Sequence, residues 1–137
     1  MAEIKDPKRF YYAMRSRYLR EAKQTGHKLS LAVSDEEDAL LWEKYKKIME
    51  RYRALKAPEG VRHEPAVREH TFLKPVFNAE YIELTHELKG LYANFKGVKS
   101  EAERLCLEEK IRRLKRRRMT VTDFVDRETG DIVSPEK

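Results

Sequence analysis

Apolar residues recur along the chain at the three- and four-residue spacing of helix faces, in four blocks set apart by capping and turn signals. Asp6-Pro7 opens the first block, since Asp accepts from free helix N–H groups and Pro is pre-shaped for the first helical position. Phe10, Tyr11, Met14, Tyr18 and Ala22 form its stripe, and Gly26 is expected to close it. Ser34 and Glu37 make a capping box for the second block, with Asp35, Glu36 and Asp38 adding negative charge in the first turn. Leu41, Tyr45, Ile48, Tyr52 and Leu55 follow in coiled-coil-like order, widened by Trp42 and Met49. This predicts a helix to Ala57, stopped by Pro58 and Gly60. Asn78 caps the third block, with Tyr81, Leu84, Leu88, Leu91 and Phe95 in line and Gly97 at its end. Ser100 and Glu103 form a second capping box, and Leu107, Ile111 and Leu114 mark a fourth helix running to Arg118. The short gap between the last two helices predicts an antiparallel helical hairpin.

Two stretches break the helical pattern. Pro58, Pro65 and Pro75 exclude a continuous helix over residues 58–77, and no strand alternation is visible there. The stretch is nevertheless apolar at Val67, Phe72, Leu73, Val76 and Phe77, so it is expected to pack on the chain's own helices or on a neighbour. The tail from Thr120 to Val125 is β-branched and aromatic, and residues 127–130 read as a turn before Asp131-Ile132-Val133. That predicts a short β-hairpin in need of support, because two strands alone are marginal in water.

The fold class expected is therefore mainly α: a three- to four-helix bundle with a long extended linker and a short C-terminal β-hairpin. Three regions are expected: a basic N-terminal helix in residues 1–34, a helical core in 35–118 that includes the linker, and an extended acidic tail in 119–137. The shared period of the second and third helices predicts one core built from Leu41, Tyr45, Ile48, Tyr52, Leu84, Leu88 and Leu91.

Composition narrows the function classes. Of 137 residues, 39% are charged and 40% apolar, so the core is thin and much of the surface is ionic. A lone Cys106 rules out an internal disulfide and Cys-rich zinc sites. No apolar run is long enough for a membrane helix, and the mean hydropathy is −0.82. The first 24 residues are basic and amphipathic, but Glu3, Asp6 and Glu21 depart from the acid-poor pattern of transit peptides. An intracellular compartment is expected, with the mitochondrial matrix and the cytoplasm both open.

Charge distribution supplies the candidate chemistry. The net charge is +6, and seven cations fall within the nine residues 110–118: Lys110, Arg112, Arg113, Lys115, Arg116, Arg117 and Arg118. A helix C-terminus is stabilised by two or three cations. Seven, spread nearly all round the helix, repel one another unless anions surround them. Nucleic-acid phosphates provide such a setting, and Arg forks onto phosphate oxygens. The first helix adds Arg9, Arg15, Arg17 and Arg20, interleaved with Phe10, Tyr11, Tyr12 and Tyr18. Its aromatics are read mainly as the buried stripe and its cations as further phosphate contacts. Phe72, Leu73, Val76, Phe77 and Phe124 are the candidate partner-docking residues.

Enzyme and metal chemistry find little support. His27, His63, His70 and His86 lack metal-ligand spacing. The pairs Glu36-Glu37 and Glu108-Glu109 belong to a helix start and a solvated helix face, there is no glycine-rich phosphate loop, and no nucleophile sits in a recognisable setting. No cofactor and no catalysis are expected. The leading expectation is a non-catalytic structural subunit of a ribonucleoprotein, a ribosomal protein of the cytosolic or an organellar ribosome, binding rRNA phosphates beside neighbouring proteins. The alternative is a helical accessory subunit of a protein-only assembly such as a respiratory or ATP synthase complex. A third reading, a coiled-coil adaptor dimerising through Leu41, Tyr45, Ile48 and Tyr52, suffers from a short, Tyr-rich seam, and a homo-oligomer is not expected.

Overall fold

The computed structural model describes residues 6–64 and 73–133. The protein is mainly α, with four helices and a small antiparallel sheet. The helices are α1 (Pro7–Ser30), α2 (Asp35–Ala54), α3 (Ala79–Asn94) and α4 (Glu101–Thr120), and the strands are β1 (Leu73–Pro75), β2 (Phe124–Asp126) and β3 (Ile132–Val133). The chain forms two compact units. One holds α1 with residues 39–64. The other holds residues 31–38, α3, α4 and the sheet, so the first turn of α2 belongs to the second unit.

In the first unit α1 and α2 pack as antiparallel partners. Ala22 and Leu29 of α1 are buried with Tyr45, Ile48, Met49 and Tyr52 of α2, and Tyr18, Leu19, Leu41 and Trp42 pack around them. The seam weighed above as a dimer surface is thus filled by the chain's own first helix. Asp6 caps α1 as its residue type dictates, its Oδ1 accepting from the Arg9 N–H at 3.1 Å.

Two boundaries in this first unit differ from the sequence expectation. Gly26 does not close α1, which continues to Ser30 because Thr25 and Leu29 extend the buried stripe. That burial outweighs the ~1 kcal/mol propensity deficit of a helical glycine. Helix α2 stops at Ala54 rather than Ala57. The Tyr52 carbonyl there accepts from Leu55 N–H at 3.2 Å and from His63 Nε2 at 2.9 Å, which closes the last turn early. Pro58 also disfavours helical backbone at Ala57. The chain then reverses over Pro58 to Val61, with Val61 N–H donating to the Pro58 carbonyl at 3.0 Å and Gly60 at φ +82°, the left-handed position that a type II turn demands.

In the second unit Tyr81, Leu84 and Leu88 of α3 and Ile111 of α4 are buried. Of the residues expected in one core, Tyr45, Ile48 and Tyr52 are buried in the first unit and Leu84 and Leu88 in the second, while Leu41 and Leu91 are half-buried. Asn78 Oδ1 accepts from Tyr81 N–H at 2.7 Å and Ser100 Oγ accepts from Glu103 N–H at 3.2 Å, so the caps expected for α3 and α4 form. A single 3₁₀ turn, Phe95–Gly97, follows α3.

The predicted hairpin forms as β2 and β3, around a turn in which Asp126 Oδ1 accepts from Glu128 and Thr129 N–H and Gly130 adopts φ +77°. Its support is β1, which pairs antiparallel with β2 so that Pro75 faces Phe124 and Leu73 faces Asp126. The stretch 58–77 thus contains a strand where no alternation was visible. Three residues are too few to show a period, and Pro75 is tolerated because β1 is an edge strand.

Candidate nucleic-acid interface

Helix α4 orders its charges in two steps. In its first half, acids and bases alternate at helical-neighbour spacing. Arg104 pairs with both Glu101 and Glu108, and Glu109 pairs with both Arg112 and Arg113. These are exposed pairs of small individual value. The Arg104 hydrogen bond holds the Glu101 carboxyl below its usual pKa, and the same pair raises Arg104.

Beyond Glu109 no acid remains on the helix. Lys110, Arg112, Arg113, Lys115, Arg116 and Arg117 are all exposed. Among the described residues Lys110 and Arg116 have no ion pair, Lys115 lies over the Tyr92 ring at 5.6 Å, and Arg117 reaches Glu80 only at 3.9 Å. Six exposed cations therefore surround the helix end, with one carboxylate shared by two of them and another at the edge of reach, and Lys110 and Arg113 border a groove beside α3.

Arg118 is different. Expected among the interface cations, it is 8% exposed. Its Nη1 donates to Thr85 Oγ1 at 2.9 Å and its guanidinium lies 4.7 Å from the Tyr81 ring centre. Burial lowers its pKa from the usual guanidinium value, partly offset by Tyr81 and Tyr92. The physical reason is position. Leu107, Ile111, Leu114 and Arg118 are spaced as one helical stripe, so the helix that buries Ile111 against α3 also turns Arg118 inward. That spacing was available in the sequence and was masked by the run of cations around it.

On α1, Arg9, Arg17 and Arg20 are exposed and Arg15 is half-buried. Arg17 pairs with Glu21 at 3.1 Å. Tyr11 is buried, as the stripe reading expects, but Phe10 and Tyr12 are 47% and 51% exposed beside Arg9.

Of the docking candidates, Leu73 and Phe124 are half-buried in the chain's own sheet and Phe77 packs edge-on against Tyr81 at 5.5 Å. Val76 is exposed, and Phe72 lies outside the described residues.

The sequence reading missed a third basic cluster. Lys44, Lys47 and Arg51 of α2 line a cavity of about 400 Å³ together with Lys28 of α1. Their helical spacing was legible, but the near-equal totals of acid and base on α2 concealed that the bases share one side.

Among the described residues no group of three or more His, Cys, Asp or Glu side chains is placed to hold a metal ion. No helix among them is long and apolar enough to cross a membrane. No family model, curated protein or solved structure matches the chain.

Proposed function

We propose that the protein is a non-catalytic structural subunit of a ribonucleoprotein, a ribosomal protein of a cytosolic or mitochondrial ribosome, that binds rRNA through its phosphates. The observation that carries this reading is the set of six exposed cations at the end of α4, where the helix offers no further carboxylate. Lys110, Arg112, Arg113, Lys115, Arg116 and Arg117 are the proposed contacts, with Arg9, Arg15, Arg17 and Arg20 of α1 as further phosphate ligands. Arg118 is assigned to the fold. Contacts of this kind position a protein on RNA without reading base sequence.

Six phosphate contacts would make log K fall with log salt at a slope of about −4 to −5. The test is to size the native particle from lysate before and after ribonuclease treatment, and to titrate the purified chain with RNA over a range of salt. A large particle that collapses on treatment, with a steep salt slope that Arg116→Glu/Arg117→Glu flattens, supports the reading. A particle that survives ribonuclease overturns it.

The second reading, an accessory subunit of a protein-only assembly, is favoured by apolar side chains left outside the fold. Ile132 and Val133 of the edge strand β3 are 70% and 46% exposed, and Leu105 and Met119 of α4 are also exposed. A surviving particle would make these the docking elements.

A further inference from the structure

The cavity between α1 and α2 is a different kind of basic surface from the end of α4. Lys28 approaches it from α1, and Lys44, Lys47 and Arg51 from α2, with Ile48 among the lining residues. Glu21 is the one acid lining it, and that carboxylate is already engaged by Arg17 at 3.1 Å. Among the described residues none of the four cations has an ion pair. The same helix does pair charges elsewhere, since Glu43 holds Lys46 at 2.7 Å. Lys44 with Lys47, and Lys47 with Arg51, are like charges at helical-neighbour spacing, which destabilise a helix. Glu43, one turn before Lys47, offsets part of that repulsion, and a bound anion would offset more.

The shape separates this site from α4. There the cations are spread round the helix, with Lys110 and Arg113 bordering a groove of about 610 Å³ beside α3, and they suit an extended backbone of separated phosphates. Here four cations line one concave volume of about 400 Å³, within the range of small-ligand sites.

We propose that the α1/α2 groove binds a compact ligand bearing several clustered phosphates, with Lys28, Lys44, Lys47 and Arg51 as its ligands. The proposal does not depend on RNA binding by α4. Lys side chains act here as point charges on short, strongly charged groups, and Arg51 adds a planar fork for phosphate oxygens.

The test is calorimetric titration of the full chain with inorganic tripolyphosphate, beside three variants. Lys44→Glu/Lys47→Glu should weaken binding by about tenfold or more. Lys44→Arg/Lys47→Arg should retain it, and Arg116→Glu/Arg117→Glu should leave it unchanged. The altered side chains are exposed, and thermal melts of each variant check the fold. A second arm uses vesicles containing phosphatidylinositol bisphosphate. Co-flotation lost in Lys44→Glu/Lys47→Glu would place the phosphates on a lipid headgroup, whereas tripolyphosphate binding without co-flotation would place them on a free ligand. Failure to bind tripolyphosphate, or equal binding by wild type and Lys44→Glu/Lys47→Glu, would overturn the site. Loss of RNA affinity in that variant without tripolyphosphate binding would also overturn it and make the groove part of the RNA surface.

Discussion

The Arg127 guanidinium forks onto the Asp38 carboxylate through two hydrogen bonds, at 2.8 and 2.7 Å, with the two side chains only 9% and 2% exposed. It ties the hairpin turn to the first turn of α2, where the helix N-terminus also favours a negative charge. Both partners have left water, so removing one strands the other. Arg127→Ala or Asp38→Ala should each lower unfolding free energy by about 3–5 kcal/mol. Replacing both together should cost much less than the sum, because neither charge is then left alone. Urea unfolding of the two single variants and the double variant measures the coupling directly.

Arg118 and its two predecessors should separate cleanly under the same measurement. Arg118→Ala removes the hydrogen bond to Thr85 and the contact with the Tyr81 face, for a loss of about 2–4 kcal/mol. Arg116→Ala and Arg117→Ala, at exposed positions, should stay within about 0.5 kcal/mol of wild type. RNA affinity should show the reverse order once the folded fraction is held constant. Equal stability losses at all three positions would remove the distinction between an inward and two outward arginines.

How far this was legible in the sequence depended on whether a signal was local. Caps at Asp6, Asn78 and Ser100, and the turn before Gly130, involve residues within a few positions of one another, and each forms as its residue types dictate. Boundaries set by distant residues were not legible. The end of α2 depends on His63 reaching back to Tyr52, and β1 exists only because β2, some fifty residues later, offers it an edge. On the candidate surface the cations of residues 110–118 were identified by type, but their separation into outward and inward groups follows from how α4 packs on α3. The bases of the α1/α2 groove escaped for the opposite reason: summing charge over a helix discards the side on which it lies.

Tyr45 provides a stability prediction of the opposite sign. It is 4% exposed, its ring stacks on Trp42 at 5.5 Å, and its hydroxyl has no hydrogen-bond partner among the described residues. A hydroxyl buried without a partner has lost its water bonds for nothing. Tyr45→Phe keeps the ring and removes that atom, so it should raise stability by about 1 kcal/mol. A fall of that size on chemical denaturation would mean that the hydroxyl is bonded in solution.

Stability should also carry an alkaline limb. Burial raises the Tyr81 and Tyr11 phenols above the ordinary value of 10.0, at Tyr81 against the opposing pull of Arg118 and Thr85 and at Tyr11 with Tyr52 adding to the rise. A phenol with a raised folded pKa contributes stability that is fully present below pH 10 and is lost as pH rises through the folded value, because the unfolded chain gives up its proton first. Unfolding free energy should therefore be insensitive to these groups from neutral pH to about pH 9 and fall above pH 10. Tyr81→Phe should make that fall shallower, which denaturant curves across the alkaline range would reveal.

His63 secures the segment that follows α2, and its two ring nitrogens have distinct duties. Nε2 lies 2.9 Å from the Tyr52 carbonyl, which can only accept, so Nε2 carries the hydrogen. Nδ1 is left to accept, and the Tyr11 hydroxyl donates to it at 2.6 Å. The imidazole also packs against the Tyr11 and Tyr52 rings, at 5.6 and 4.6 Å between centres, so one side chain joins α1, the end of α2 and the segment after it. His63→Ala removes both hydrogen bonds and both ring contacts, and should cost about 2–3 kcal/mol. His63→Phe restores the ring contacts alone and should recover part of that loss. Amide exchange should quicken from Val61 to Glu64 and at Leu55 in both variants, while Leu84 and Leu88 in the other unit keep their protection. Nitrogen chemical shifts of the wild-type ring should report the Nε2–H form at neutral pH, and a ring protonated at Nδ1 instead would sink this arrangement.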